Sequence, residues 1–438
     1  MNILHYINLS IAAVFLLCYF YQFIYIPITI FNKDKKVYPK GPKHNFAVFI
    51  CARNEAAVIG DLIKSIKNQT YPQELITVFV MADNCTDNTA EISEQCGAKV
   101  YIRNDTTLIG KGYALNKLIE NVKRDYGDVF DAYFVFDADN VLEPDYIDHM
   151  NDTFSCGYEI VTSYRNSKNY GDNWISAGYA LWFLRESRYL NHARSIIGSS
   201  CAVSGTGFMF SRKILNKNGG WPYHLLTEDI EFSIAQVIDG ETIGFAPDAV
   251  LYDEQPVSFK QSWRQRMRWS KGYYQVFGKY GKNLLKGAFK GRFSCYDMSM
   301  SIMPAIILTV IGIIANISLG TIALFNHYKF IDVLKLTFGG FSWAYFTVFI
   351  VGLITVITEN KNIHVPWWKK ILYTFTFPFF MFTYIPISCV AAFKKVTWKP
   401  IEHHASKSNL TASDKKDEKK ADGKSEISSN LANDNDLS

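Results

Sequence analysis

Hydrophobic and polar positions divide the chain into four stretches. Residues 1–32 carry no Asp, Glu, Lys or Arg, and the first charge is Lys33. As a helix, the apolar run 4–31 is long enough to cross ~30 Å of hydrocarbon, for which about 20 residues suffice. A cleaved signal peptide needs a cationic start, a shorter apolar stretch and a small-residue cleavage site, none of which is present. The segment therefore reads as a retained membrane helix. From 45 to 285 the pattern changes to short apolar runs alternating with helical stretches. Residues 46–50, 76–81 and 133–136 read as strands buried on both faces. Residues 55–68, 87–96 and 111–123 read as the helices between them. This alternation predicts an α/β domain with a doubly wound sheet, which gathers ligands at the carboxyl ends of its strands.

The chain then turns apolar again over 298–393. Residues 298–325 and 336–358 are free of charge and long enough to span. Residues 371–393 are also long enough, but Pro378 and Pro386 interrupt them, each removing a backbone donor. From 399 to 438 the sequence is Ser, Asn, Asp and Lys with few large apolar residues, a composition that predicts a disordered tail. Lys33, Lys35, Lys36, Lys40 and Lys43 follow the first helix and place this side in the cytosol. Three further full spans would leave the C-terminus outside, whereas Lys369, Lys370, Lys394, Lys395 and Lys399 favour an inside end. A re-entrant or interfacial segment 371–393 resolves that conflict and is the expectation here.

Composition narrows the class. The 438 residues are 48% hydrophobic and 15% aromatic, yet mean hydropathy is −0.02, the average of a soluble middle, apolar ends and a polar tail. The net charge of +5 is spread along the chain and fits membrane topology better than nucleic-acid binding. The eight cysteines form no C-x-x-C pair and no zinc spacing, so they read as scattered, reduced residues.

Candidate chemistry clusters at the strand ends. Arg53, Asn54 and Glu55 follow the first strand, where a polar turn opening a helix presents N–H groups to an anion, or merely caps the helix. Asp83 ends the second strand, placed to accept hydrogen bonds from a base or ribose. Lys111, between Gly110 and Gly112, precedes another helix and can meet a diphosphate. The segment lacks the phosphate-loop pattern, and Gly205-Thr206-Gly207 lacks the third glycine of the dinucleotide fingerprint. Asp137 and Asp139 emerge one residue apart from a buried strand. Two like charges there require a cation or donors, and oxygen ligands suit Mg²⁺ or Mn²⁺ completed by substrate phosphates. Thr227-Glu228-Asp229 opens a helix. Asp229 is a candidate general base whose pKa the helix N-terminus is expected to hold low; the plain alternative is a capping arrangement. Gln265, Arg268 and Trp269 lie in a basic aromatic helix over 259–284. Arg268 can grip a diphosphate and Trp269 can offer a flat face to a sugar, though a membrane-surface helix would use the same residues.

In this order, Asp83, D-x-D (Asp137, Asp139), T-E-D (Thr227, Glu228, Asp229) and Q-x-x-R-W (Gln265, Arg268, Trp269) resemble the membrane-bound family 2 glycosyltransferases. That group includes the cellulose, chitin, hyaluronan and poly-N-acetylglucosamine synthases. The resemblance covers 45–285 and implies an inverting transferase of GT-A fold flanked by transmembrane helices. It implies a UDP-sugar donor, with Asp83 at the uridine and Asp137 and Asp139 at the diphosphate and its Mg²⁺ or Mn²⁺. Asp229 would be the base, Gln265 and Arg268 would hold the diphosphate, and Trp269 and Glu228 would face the acceptor. Arg53, Glu55 and Lys111 fall in the nucleotide neighbourhood, and Gly205 and Thr206 in an acceptor-side loop. The acceptor would be a growing polysaccharide or a glycolipid, at the cytosolic face of the cell membrane. The span count is low for a self-contained export pore, which points to a partner subunit, a homodimer or a product that needs no pore.

Overall fold

The computed structural model describes residues 2–32, 38–302, 304–325 and 330–397. Lys33, Lys35, Lys36, Lys399 and the predicted tail lie outside the described residues. An N-terminal helix, α1 (Asn2–Phe31), leads into alternating elements. These are β1 (Phe46–Ala52), α2 (Ile59–Lys67), β2 (Ile76–Asp83), α3 (Thr89–Gln95), β3 (Lys99–Arg103), α4 (Lys111–Tyr126) and β4 (Ala132–Phe136). Next come β5 (Val141–Leu142), α5 (Tyr146–Ser155), β6 (Ile160–Ser167), α6 (Trp174–Arg185) and α7 (His192–Ile196). The domain closes with β7 (Phe208–Ser211), α8 (Arg212–Asn218), α9 (Glu228–Asp239) and β8 (Ile243–Asp253).

The strands form one sheet in the order β3-β2-β1-β4-β7-β6-β8-β5. β3, β2, β1 and β4 are mutually parallel, as the alternation predicts. The other half is mixed: β7 runs antiparallel to β4 and β6, and β5 antiparallel to β8. Alternate residues of β1 serve opposite cores. Phe46, Val48 and Ile50 pack with α2 and α5, while Ala47 and Phe49 pack with α4 and the aromatic core beyond it. Burial on both faces is why these strands read as unbroken apolar runs. The chain leaves β1 towards β2 and β3, then returns to place β4 on the other side. A crevice opens at that switch, outside the carboxyl ends.

After the sheet come α10 (Phe259–Phe289), α11 (Phe293–Ile302), α12 (Pro304–Phe325), α13 (Phe330–Thr358), α14 (Trp367–Phe382) and α15 (Tyr384–Phe393). Among the described residues three helical stretches are long and apolar enough to cross a membrane: Tyr6–Phe31, Thr337–Thr358 and Trp367–Phe393. A fourth is reached if α11 and α12 count as one bent span. Leu17, Phe20, Trp343 and Phe346 stand exposed on these stretches, as lipid-facing side chains would. The expected single span 298–325 is divided, with Pro304 opening α12, a position where its missing N–H costs nothing. α11 instead packs along α10, with Cys295, Asp297 and Met298 buried.

Two polar ties join this region to the domain. Arg194 of α7 donates to both oxygens of Asp297 on α11, at 2.7 and 2.8 Å, and the Tyr21 and Tyr25 hydroxyls of α1 donate to the same carboxylate. A buried ion pair holds together when its remaining lone pairs are satisfied, and the tyrosines do that here. At the break between α14 and α15, Pro386 lacks the N–H that would continue the helix. Buried Arg266 of α10 donates there to the Phe380 carbonyl and the Thr383 hydroxyl, at 3.1 and 2.6 Å.

Candidate active site

Turns at two neighbouring strand ends are knitted together first. Asn54 and Asn84 are the non-glycine residues with positive φ among those described, at +58° and +54°. Asparagine tolerates that conformation better than most side chains. The Asn54 side-chain oxygen accepts the Thr86 N–H at 2.7 Å, locking the turn after β1 to the turn after β2. These turns place Arg53, Glu55 and Asp83 on one wall of a cleft of about 400 Å³. Asp137 and Asp139 follow β4 on its floor, Lys111 starts α4, and Glu228 and Asp229 start α9. Gln265, Arg268 and Trp269 reach in from α10, whose Gly272 lies against Thr227 so closely that a Cβ would sit 2.5 Å from its side chain. Gly205 also lines the cleft, at φ +77°. One cleft therefore gathers the residues that the resemblance assigns to the site, all but one.

The exception is Thr206, expected with Gly205 on the acceptor side. It is buried beneath the floor, where its hydroxyl accepts the Asp137 N–H at 2.8 Å and donates to Asn140. Thr206 thus sets the backbone that carries the D-x-D carboxylates. Thr206→Val keeps the shape but leaves the Asp137 N–H only its longer bond, 3.3 Å, to Asn140. Stability is expected to fall by about 1–3 kcal/mol, read as a lower denaturation midpoint, with acceptor KM unchanged.

The electrostatics are those of a partly desolvated, highly charged cleft. Lys111 Nζ contacts Asp137 at 2.5 Å and the Gly205 carbonyl at 2.8 Å. Burial works against its charge, but Asp137 and Glu228 more than offset this and raise its pKa. Asp83 is met by Arg103 at 2.6 Å; burial still outweighs that partner and pushes the Asp83 carboxyl up. Burial first, then the neighbouring Asp229 charge, raises Glu228 to about 7. Asp229 is raised as well, contrary to the expectation from its helix position. The Ile230 and Gly205 amides, Lys111 and Arg268 favour its charge, but desolvation exceeds them. Arg268 donates to the Leu226 carbonyl at 2.7 Å, holding its guanidinium beside the start of α9. The Gln265 side-chain oxygen and the Thr227 hydroxyl are buried and find no hydrogen-bond partner among the described residues.

Asp137 and Asp139 answer the test for a divalent ion. Asp139 is fixed by the Glu254 N–H at 3.1 Å and the Asn140 amide at 3.3 Å, which leaves further lone pairs. No group of three or more His, Cys, Asp or Glu among the described residues forms a complete cage. Two carboxylates with the rest of the shell open is the arrangement a hard cation takes when it shares phosphate oxygens.

Five further residues were not found from the sequence. Arg103 faces Asp83 because the two are register partners across β3 and β2. Arg165 of β6 holds Asp253 of β8, its Nε at 2.7 Å, and Gln255 donates to the same carboxylate at 2.6 Å. Glu186, just after α6, lines the cleft opposite the strand ends. Their signal lies in strand pairing and in the packing of distant segments, which a single sequence does not display.

A family model described as "Glycosyltransferase like family 2" matches residues 42–272, more than half of the chain. This chain belongs to glycosyltransferase family 2. The glycosyltransferase is similar to the beta-monoglucosyldiacylglycerol synthase of Nostoc sp., with 26% identity over 61% of this chain and 57% of the relative. It is also similar to the poly-beta-1,6-N-acetyl-D-glucosamine synthase of Staphylococcus epidermidis, with 24% identity over 51% of this chain and 53% of the relative. The chain thus spans little more than half the length of these relatives. Mannosyltransferase PcManGT from Pyrobaculum calidifontis, solved with GDP-Man and Mn²⁺, shares the fold at TM-score 0.57 and 14% identity, over 87% of this chain and 97% of that one. The glycosyltransferase has the GT-A fold, a mixed α/β sheet with helices on both faces.

Proposed function

We infer that this glycosyltransferase transfers a hexose or N-acetylhexosamine from a UDP-sugar, with inversion, to the hydroxyl of an acceptor at the membrane face, extending a polysaccharide chain. The observation that carries this reading is convergence. Residues between 53 and 269 in sequence meet in one cleft, where acids and bases stand side by side. Asp83 and Arg53 serve the uridine, and Lys111, Gln265 and Arg268 the diphosphate. Asp137 and Asp139 would hold Mg²⁺ or Mn²⁺, whose charge would stabilise the departing diphosphate. Asp229 takes the proton of the acceptor hydroxyl as its oxygen bonds to the anomeric carbon. The bond from that carbon to the diphosphate breaks on the opposite side, and UDP leaves with the electron pair. The raised pKa of Asp229 suits a base, because a more basic carboxylate accepts a proton more readily. Lys40 and Lys43 after α1 support a cytosolic domain.

A second reading, transfer of one sugar to a membrane lipid, is favoured by the far wall of the cleft. Ser301 and Ile302 of α11, Met381 of α14, and Tyr384 and Ser388 of α15 form it, all from the C-terminal apolar region. The relatives named above include one synthase of each product class. A donor screen on the detergent-solubilised enzyme, reading released UDP and product size, tests both. One labelled sugar per lipid after exhaustive incubation would sink chain extension. No UDP release from any UDP-sugar, with Mn²⁺ present, would sink sugar transfer itself.

A further inference from the structure

The acceptor half of the cleft contains a carboxylate that the mechanism above does not use. Glu186 begins a π-helical turn, Glu186–Asn191, that continues α6 into α7. Such widened turns recur where a helix must aim a side chain into a functional site. The wall around Glu186 is aromatic: Trp182 and Phe183 come from α6, Trp269 and Tyr273 from α10, and Tyr384 from α15. Burial raises the Glu186 carboxyl, and the charges of Arg165, Arg194 and Arg185 offset this only in part.

Each of those three arginines is committed elsewhere. Arg165 binds Asp253 and the Ser204 carbonyl, Arg194 binds Asp297 through both oxygens, and Arg185 donates to Gln22 at 2.9 Å. Glu186 forms no ion pair among the described residues; the Ser204 hydroxyl is its side-chain neighbour. A carboxylate with spare lone pairs among aromatic faces offers two kinds of contact. Its oxygens accept O–H groups, and the rings pack against C–H surfaces.

We propose that Glu186 is the acceptor-positioning residue, accepting hydrogen bonds from the hydroxyls of the acceptor's terminal polar group and holding it within reach of Asp229. The shared chemistry is a polyhydroxylated end group, which the last sugar of a growing chain or the head of a hydroxylated lipid can supply. The inference rests on the sugar-transfer reading and adds to it the residue that orients the acceptor.

Full-length enzyme, Glu186→Gln and Glu186→Asp are compared using the UDP-sugar that the donor screen selects. One arm offers a short oligosaccharide of that sugar, the other a monohexosyldiacylglycerol in phosphatidylcholine vesicles. UDP release to water without acceptor reports donor binding and the integrity of the fold. Glu186→Gln is expected to raise acceptor KM tenfold or more in the arm that supplies the true acceptor. UDP-sugar KM and acceptor-free UDP release should stay unchanged, and Glu186→Asp should recover part of the loss. An unchanged acceptor KM in both arms overturns the proposal. So does a loss of acceptor-free UDP release that matches the loss of transfer, because Glu186 would then serve the scaffold. A native enzyme that releases no UDP in any condition instead overturns sugar transfer itself, and the positioning role with it.

Discussion

Asp229→Asn is expected to cut sugar transfer by about 10²–10⁴-fold while UDP binds nearly as it does to the native enzyme. The substitution keeps the shape and removes the proton acceptor, so its effect should fall on kcat. Asp229 is half-buried beside the buried Glu228, and the two are raised together, so they titrate as a pair. The base works only when deprotonated, and a raised pKa means that protonation sets in at higher pH. Native transfer is therefore expected to decline as pH falls through a midpoint above the ordinary aspartate value. In Asp229→Asn that limb should vanish, since the proton acceptor is gone. A variant with normal turnover would remove Asp229 from the base role, whatever the state of the rest of the cleft.

The second large effect is expected from Asp139→Ala. Asp139 is buried, and both its oxygens already take one hydrogen bond each, from the Glu254 N–H and the Asn140 amide. Those bonds orient the carboxylate and leave lone pairs free. Loss of even an outer-shell partner of a metal ligand costs about 10–100-fold in metal affinity, so loss of a ligand should exceed about 100-fold. Titrating UDP with and without Mn²⁺ separates the cases. In the native enzyme Mn²⁺ should tighten binding strongly, and in Asp139→Ala the two curves should nearly coincide. Equal enhancement by Mn²⁺ in both proteins would argue against metal ligation at Asp139.

The parallel half of the sheet was legible because β1, β2 and β4 are buried on both faces and appear as unbroken apolar runs. Their ends were legible because Asp83 and Asp137 follow those runs directly. The mixed half was not, since strand direction leaves no periodic trace in β6, β7 or β8. Arg103 and the Arg165–Asp253 pair depend on register and on pairing between strands far apart in sequence. Thr206 stood beside Gly205 in the chain, but the floor that buries it is built from Asp137 and Asn140. For Asp229 the helix start was visible, whereas the burial that raises its pKa comes from α4, α10 and the Gly205 loop together. The divided span 298–325 had its own signal in Pro304, which opens α12 once α11 has packed beneath α10.

The bonds from Tyr21 and Tyr25 to Asp297 make the N-terminal helix more than a tether. They end on the carboxylate that Arg194 grips, and Arg194 also reaches Ser301 on the wall of the cleft. A chain shortened to begin at Tyr38 would keep the sheet and every charged group of the donor site. It would nevertheless strip two hydroxyls from a buried acid next to the acceptor wall. A foreign anchor fused in place of α1 would leave the same gap. For anyone seeking a water-soluble version of this enzyme, the cut has to spare Tyr21 and Tyr25, because that end of α1 belongs to the catalytic body as much as to the bilayer.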